Sequence, residues 1–125
     1  MVDYATVGTN DPATALAFYD ALLGPAGYAR VFDHPNGGAF YGRDGMIRFG
    51  VLKPFDGNAA CVGNGSMMGF ALAGREDVDA FHARALELGG TCEGPPGLRG
   101  PEEMGMYFTY VRDRDGNKLC AFKMG

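Results

Sequence analysis

Apolar and polar residues alternate along positions 2–7, and this period of two predicts a β-strand. A helix is predicted next, because Asp11 is a favourable N-cap residue and Pro12 suits the first helical position. The helix is expected to end at Gly24, and its apolar residues recur at helical spacing: Leu16, Tyr19, Leu22 and Leu23. Three more strands are predicted at residues 28–32, 39–41 and 46–52. The first half is therefore predicted to be strand, helix, strand, strand, strand.

The same order of elements is predicted for the second half of the chain. A strand is expected at residues 67–72, followed by a helix at residues 75–88 that the glycine pair Gly89-Gly90 ends. The remaining strands are predicted at residues 91–93, 106–111 and 118–123. Residues 94–105 are rich in proline and glycine and are expected to form a long loop between two of these strands.

The two halves have the character of internal repeats. Phe18 on the first helix corresponds to Phe81 on the second, an offset of 63 positions (81 − 18 = 63). The same offset places Tyr4 opposite Met67, at equivalent points of the two leading strands. A duplicated unit of one helix and four strands is the simplest architecture that accounts for this pattern.

A second pair of motifs extends the repeat to the last strands. Asp44-Gly45 corresponds to Asp115-Gly116 at an offset of 71 (115 − 44 = 71), which places Phe49 opposite Cys120. The chain is therefore predicted to be a single domain, residues 1–125. Within it, a first unit at residues 1–53 and a second at 67–125 are joined by a glycine-rich linker at 54–66.

Composition restricts the partners of this chain. A net charge of −4 and a sequence pI near 5.0 argue against nucleic acid, because phosphate binding requires a basic surface. No apolar run is long enough to predict a membrane span, and no signal peptide is recognisable at the N-terminus. The three cysteines are widely spaced and odd in number, so we expect reduced thiols and a cytoplasmic protein.

Two segments are similar to a known family. The closing sequence RDRDGNKLCAF at residues 112–122 and the sequence GNGSMMGFALAGREDVDAFHARALELGG at residues 63–90 resemble the vicinal-oxygen-chelate superfamily. This superfamily contains glyoxalase, bleomycin-resistance and ring-cleaving dioxygenase proteins. The resemblance implies an α+β fold in which tandem βαβββ units form a curved mixed-sheet cup with the helices on its outer face. It also implies a homodimer.

The resemblance further implies where a divalent metal would bind. The ligand positions of the family fall on Tyr4, Phe49 or Val51, Met67 and Cys120. A hard or borderline divalent ion requires carboxylates or imidazoles, whereas these positions supply a phenol, a thioether, a thiol and an apolar side chain. We therefore expect no metal site and no cofactor, although sulfur ligation of a softer metal by Met67 and Cys120 is the alternative.

The same positions and the neighbouring aromatic residues are predicted to line a pocket for a small apolar or aromatic molecule. The predicted lining residues are Tyr4, Phe49, Val51, Met67, Tyr110, Cys120 and Phe122. No catalytic residue is assigned, and the only candidates are Tyr4 as a general acid and Cys120 as a nucleophile. Arg99 is a candidate partner for a ligand carboxylate. His34 is the one histidine expected near a pocket mouth.

Three functions are compatible with these residues. The first is a metal-free domain that binds a small molecule. The second is a metal-free enzyme that uses Tyr4 or Cys120. The third is a metal-dependent lyase, isomerase or dioxygenase, similar to lactoylglutathione lyase, whose ligands have moved to other residues. Of these the first is preferred, because the fold signals are intact whereas the family's ligand types are absent.

Overall fold

The computed structural model describes residues 1–125 and contains two successive βαβββ units. The first comprises β1 (Ala5–Gly8), α1 (Pro12–Leu23), β2 (Ala29–Asp33), β3 (Ala39–Arg43) and β4 (Met46–Leu52). The second comprises β5 (Met68–Ala71), α2 (Arg75–Glu87), β6 (Thr91–Leu98), β7 (Met106–Arg112) and β8 (Lys118–Met124), with a 3₁₀ turn at Glu102–Met104. The predicted tandem α+β architecture is confirmed.

Each unit forms its own four-stranded mixed sheet, with the strand orders β1-β4-β3-β2 and β5-β8-β7-β6. In both sheets the first and last strands of the unit pair in parallel, and the other pairs are antiparallel. The chain divides into two compact units, Met1–Asn64 and Gly65–Gly125. No helix combines the length and apolar character needed to cross a bilayer.

Most of the segment predicted to be a linker folds with the first unit. The side chain of Asn10 forms two hydrogen bonds with the backbone of Ala60. Its Oδ1 accepts a hydrogen bond from the Ala60 N–H at 2.6 Å, and its Nδ2 donates to the Ala60 carbonyl at 3.1 Å. Such double bonds from one amide side chain fix the position of a loop that has little regular structure of its own.

The core of the first unit lies between α1 and one face of its sheet. Asp11 caps α1 by accepting a hydrogen bond from the Thr14 amide at 3.2 Å, and Pro12 occupies the first turn, as predicted. On the buried side of the helix, the Tyr19 ring lies 5.1 Å from the Phe49 ring and 6.4 Å from the Tyr41 ring, measured between centroids. Aromatic contacts therefore join the helix to the sheet in this core.

In the second unit, α2 packs on one face of the sheet through Val78, Phe81 and Ala85, all of which are buried. The Phe81 ring lies 6.1 Å from that of Phe70 on β5. The helix ends before Gly89, whose φ of 96° is a left-handed conformation that favours glycine.

The expectation of a loop at residues 94–105 is wrong for its first half. β6 continues to Leu98 and is an edge strand that pairs only with β7. Pro95 and Pro96 lack amide hydrogens, and an edge strand tolerates such residues where no ladder bond is needed. The β6–β7 register shifts twice, between Cys92 and Gly94 and between Gly94 and Gly97. These bulges take up the irregular sequence without ending the strand.

The expected equivalence of Phe49 and Cys120 is also wrong. Thr6 pairs with Gly50 in the first sheet, and Gly69 pairs with Cys120 in the second. Because Thr6 and Gly69 are equivalent at the offset of 63 (69 − 6 = 63), the counterpart of Cys120 is Gly50.

The offset taken from the two Asp-Gly pairs fails because the last hairpins of the units differ in length. Arg43 pairs with Met46 across a two-residue turn, whereas Arg112 pairs with Lys118 across five residues, 113–117. The β3–β4 pairing also contains a register shift after Tyr41, which the β7–β8 pairing lacks. An alignment of the two halves on their Asp-Gly pairs is therefore wrong by one position in the last strand of each unit.

A polar cluster fastens α1 to the edge of the first sheet. Arg30 on β2 donates two hydrogen bonds to the carboxylate of Asp20 on α1, at 2.9 and 2.6 Å, and the Tyr41 hydroxyl donates a third at 2.8 Å. Burial alone would raise the pKa of Asp20, but the hydrogen bonds from Arg30 and Tyr41 outweigh it and lower this pKa. The ionised carboxylate is thus the form that stabilises the fold.

We predict that Asp20→Asn destabilises the chain at neutral pH by about 1 kcal/mol, a value reduced for partial solvent exposure. A lowered folded-state pKa stabilises the native state above the unfolded value of 3.8, and this contribution disappears as the pH falls through the folded pKa. The difference between wild type and variant should therefore shrink below pH 3.8. Urea unfolding at neutral and acidic pH measures it.

Asp33→Asn is the matched control, because Asp33 also pairs with Arg30 but only at 3.4 Å and with a side chain 73% exposed. It should change the free energy of unfolding little at either pH. Equal effects of the two substitutions would contradict a specific role for Asp20.

Candidate functional site

In the first unit, the sheet face that does not contact α1 is the free face, and it carries Thr6, Phe40 and Gly50. A Cβ atom added to Gly50 would lie 2.7 Å from Phe40 Cε1 and 2.9 Å from Thr6 Cγ2, so the three residues share one face. The Tyr4 ring, just before β1, lies edge-on to Phe40 at 5.8 Å between centroids. Tyr4 is 55% exposed and so belongs to the rim of this face.

Phe49 and Val51, which were predicted to line a pocket, lie instead on the helix side of the first sheet. The Phe49 ring contacts Tyr19 of α1, and Val51 is fully buried. Neighbouring residues of a strand point to opposite faces, so Phe49 and Val51 face the core while Gly50 faces away from it.

In the second unit, the free face is the side of the sheet opposite α2, and it is built of two cross-strand rows. Gly69, Cys120 and Tyr110 are paired side by side across β5, β8 and β7, and Phe122 and Phe108 are paired in the next row. The rows are two residues apart along each strand, which places them on one face. A Cβ added to Gly69 would lie 3.2 Å from the Cys120 sulfur and 3.5 Å from Phe122, which confirms the shared side.

The three rings of this surface lie nearly parallel. Phe122 and Phe108 are stacked with centroids 5.0 Å apart and planes 12° apart, and Phe108 and Tyr110 are stacked at 6.1 Å and 23°. All three side chains are half-buried. We call Phe108, Tyr110 and Phe122 the aromatic face.

Two cations flank the aromatic face at Tyr110. The Arg99 guanidinium lies 5.5 Å from the centroid of the Tyr110 ring, and the Lys118 ammonium lies 5.3 Å from it. Contacts of this kind contribute about 0.5–1 kcal/mol each at partly exposed sites. Neither cation forms a salt bridge with a carboxylate. The surface therefore combines apolar rings with two cations that form no direct ion pair, although the charge of Lys118 contributes to lowering the pKa of the Glu93 carboxyl, after the larger effect of Arg112.

The Arg99 side chain is held in place by its own segment. It donates hydrogen bonds to the carbonyls of Pro95 at 2.7 Å and Gly97 at 2.9 Å. Two glycines leave the space that it occupies: a Cβ on Gly94 would lie 3.2 Å from Nη2 and one on Gly97 would lie 3.3 Å from Nη1. Contacts within its own segment thus fix the position of the guanidinium.

The structure brings together only part of the predicted pocket. Cys120, Tyr110 and Phe122 share the free face of the second sheet, and Met67, 44% exposed, directly precedes β5. Lys118 was absent from the predicted set, although it stands two residues before Cys120 in the same strand. The period-two alternation of β8 was the sequence signal that places Lys118, Cys120 and Phe122 on one side.

The donor chemistry at the family's ligand positions does not fit a divalent metal. With the corrected pairing these positions hold Tyr4, Gly50, Met67 and Cys120. Tyr4 offers a phenol, Met67 a thioether and Cys120 a thiol, whereas glycine has no side chain to offer. No group of three or more His, Cys, Asp or Glu residues is placed to hold an ion. Carboxylates and imidazoles, the usual ligands of such ions, are missing from the set.

Burial suppresses the reactivity of Cys120. Its side chain is 2% exposed, and this burial raises the pKa of the thiol despite an opposing backbone hydrogen bond from Phe70 and the charge of Lys118. Cys61 and Cys92 are exposed. Because the thiolate is the reactive form, Cys120 is the least reactive of the three cysteines.

We predict that a thiol reagent such as dithionitrobenzoate modifies two cysteines of the native protein quickly and the third at least about tenfold more slowly. Guanidinium chloride should release the third thiol. In Cys120→Ser the native and unfolded proteins should both give two thiols. Three fast thiols in the native wild type would contradict the burial and the raised pKa of Cys120.

Comparison with known proteins agrees with this architecture. A sequence profile of the Glyoxalase/Bleomycin resistance protein/Dioxygenase superfamily matches residues 1–121. A glyoxalase/bleomycin resistance protein from Albidiferax ferrireducens T118 has 42% identical residues and a TM-score of 0.87, with 98% of each chain covered. No curated protein matches the sequence significantly.

More distant structures share the fold alone. A glyoxalase-related enzyme from Fulvimarina pelagi is 22% identical with a TM-score of 0.76, over 98% of this chain and 87% of the other. A lactoylglutathione lyase from Agrobacterium tumefaciens is 20% identical with a TM-score of 0.70, over 98% and 92%. The repeated βαβββ units, the profile match and the 42% identity together show that the chain belongs to the glyoxalase/bleomycin resistance protein/dioxygenase superfamily.

Proposed function

We propose that this chain binds a small planar molecule with an acidic group on the aromatic face of its second unit, without a metal ion. The observation that carries the proposal is the stack of Phe122, Phe108 and Tyr110 with Arg99 and Lys118 beside its last ring. Ligand sites typically combine apolar and aromatic side chains with a few fixed polar groups, and this surface has that composition.

The rings support a planar ligand. A flat molecule can pack against the exposed edges of the stacked, half-buried rings, and each aromatic contact is worth about 0.5–1.5 kcal/mol beyond the area it buries. Because the three rings are nearly parallel and belong to adjacent strands, they offer this surface without rearranging.

The cations support an acidic group on that ligand. A guanidinium such as that of Arg99 suits a carboxylate, and the Lys118 ammonium adds a second charge 5.3 Å from the centroid of the same Tyr110 ring. The hydrogen bonds from Arg99 to backbone carbonyls hold its charge in position in advance, so little side-chain freedom is lost on binding.

The metal-free enzyme is the weaker alternative. Cys120 is buried with a raised pKa, which opposes a nucleophilic role, and neither Arg99 nor Lys118 is close enough to lower that pKa below its ordinary value. Tyr4 lies on the rim of the first sheet beside Phe40, with no acidic or basic partner in contact. A metal-dependent reaction would require a ligand set that the side chains do not form.

We predict that 2-naphthoate binds the protein at least about tenfold more tightly than uncharged 2-naphthamide, a difference of about 1.4 kcal/mol. Lys118→Gln should weaken naphthoate binding about fivefold and reduce its salt dependence. Phe108→Leu should weaken both compounds because it removes the middle ring of the stack. Titration calorimetry gives the affinities, and amide chemical shifts of β7 and β8 locate the site.

Lys123→Gln is the matched control, because Lys123 belongs to the same strand as Lys118 but alternates onto the opposite face. It should leave binding unchanged. Equal loss in the two lysine variants, or shifts that avoid β7 and β8, would contradict the proposed surface.

Metal analysis of protein purified without chelator or affinity tag tests the metal-free part of the proposal. We expect far less than one equivalent of zinc, nickel or iron. One equivalent of any of them would overturn it. The homodimer implied by the family stays a prediction, which light scattering on the same preparation tests.

A further inference from the structure

A second concave site lies in the first unit, at the corner where β1 turns into α1. Its cavity has a volume of about 410 Å³, within the usual range for small-molecule sites. Three segments form the walls: the corner itself, the β2–β3 turn, and the loop that follows β4. The lining residues are Thr9, Asn10, His34, Asn36, Lys53, Pro54, Phe55, Gly57, Asn58 and Ala59. We call this cavity the corner pocket.

Side-chain amides build the walls of the corner pocket. Asn10 holds the backbone of Ala60 at the end of the loop, and Asn36 donates to the Lys53 carbonyl at 3.4 Å. The Thr9 amide donates to the Leu52 carbonyl at 3.0 Å, which ties the corner to the end of β4. The side chains of Asn10 and Asn36 are thus used to connect the three segments, and the cavity lies between these segments.

His34 and Lys53 supply hydrogen-bond donors to the pocket. His34 Nδ1 accepts a hydrogen bond from the Asn36 amide at 3.1 Å, so the hydrogen of the neutral imidazole is assigned to Nε2. The Lys53 ammonium forms no salt bridge. No carboxylate contributes to the walls.

The one carboxylate of the loop that follows β4 belongs to Asp56, and it already accepts hydrogen bonds. Asp56 accepts hydrogen bonds from the backbone and the side chain of Asn58, at 2.9 and 3.1 Å, and is not a lining residue. Phe55, in contrast, lines the pocket while its side chain is fully exposed. The corner pocket therefore offers two donors, one of them charged, and an apolar ring at its edge.

We infer that the corner pocket binds a small organic oxyanion, with a carboxylate or phosphate group facing Lys53 and His34 and an apolar part against Phe55. An acceptor-rich anion satisfies an ammonium and an Nε2–H together, whereas a cation or a pure donor would leave both unpaired. The pocket belongs to the first unit alone, so the inference is independent of the aromatic face.

The test uses the folded full chain and follows amide chemical shifts during titration with benzoate, phenyl phosphate, inorganic phosphate and uncharged benzyl alcohol. We expect saturable shifts at Asn36 and at residues 53–58 with benzoate or phenyl phosphate, and none with benzyl alcohol. Saturation by benzoate alone identifies a carboxylate ligand, and saturation by phenyl phosphate alone identifies a phosphate ligand. The response to inorganic phosphate shows how much the ring of the ligand contributes.

Lys53→Gln should weaken this binding at least fivefold, and Phe55→Ala should weaken phenyl phosphate more than inorganic phosphate. Lys118→Gln, which removes a cation of the aromatic face, should leave it unchanged. Dispersed amide spectra show that each variant is folded.

The inference fails if no probe shifts these amides at millimolar concentration, or if benzyl alcohol shifts them as much as benzoate does. It also fails if Lys53→Gln has no effect while Lys118→Gln abolishes every shift, since binding would then belong to the aromatic face alone.

Discussion

Alternation of side chains across a helix-backed sheet is the constraint on which this protein depends. In each unit one helix covers one sheet face, and every second strand residue is committed to the core beneath it. Phe49, Val51, Leu119 and Ala121 are buried in this way. The residues between them face away from the helix, and they set the character of each free face.

The two free faces have different chemistry although the units share one topology. The first carries Thr6, Phe40 and Gly50, with Tyr4 at the rim, and no cation lies over its rings. The second carries three nearly parallel rings with two cations at one end. Substitution at alternating positions is enough to make this difference, because such residues change the surface without disturbing the core on the other side of the strand.

Local signals predicted the elements well, and long-range pairing limited the rest. Pro12 and Gly24 bound the first helix as expected, because capping and helix-breaking chemistry act within a few residues. The continuation of β6 through Pro95 depends on an edge position that only the assembled sheet defines. The shared face of Cys120 and Phe122 followed from periodicity, whereas the location of Arg99 over Tyr110 required the bulged path of β6.

The corrected pairing has a consequence for any attempt to engineer an ion-binding centre into this scaffold. The counterpart of Cys120 is Gly50, where even one added carbon would collide with the Phe40 ring and the Thr6 methyl group. A carboxylate at that position would require a smaller residue in place of Phe40 before it had room to reach an ion. Glutamate at Cys120 would therefore place a carboxylate in the second unit, whereas the packing of Phe40 and Thr6 keeps Gly50 of the first unit closed to such a side chain.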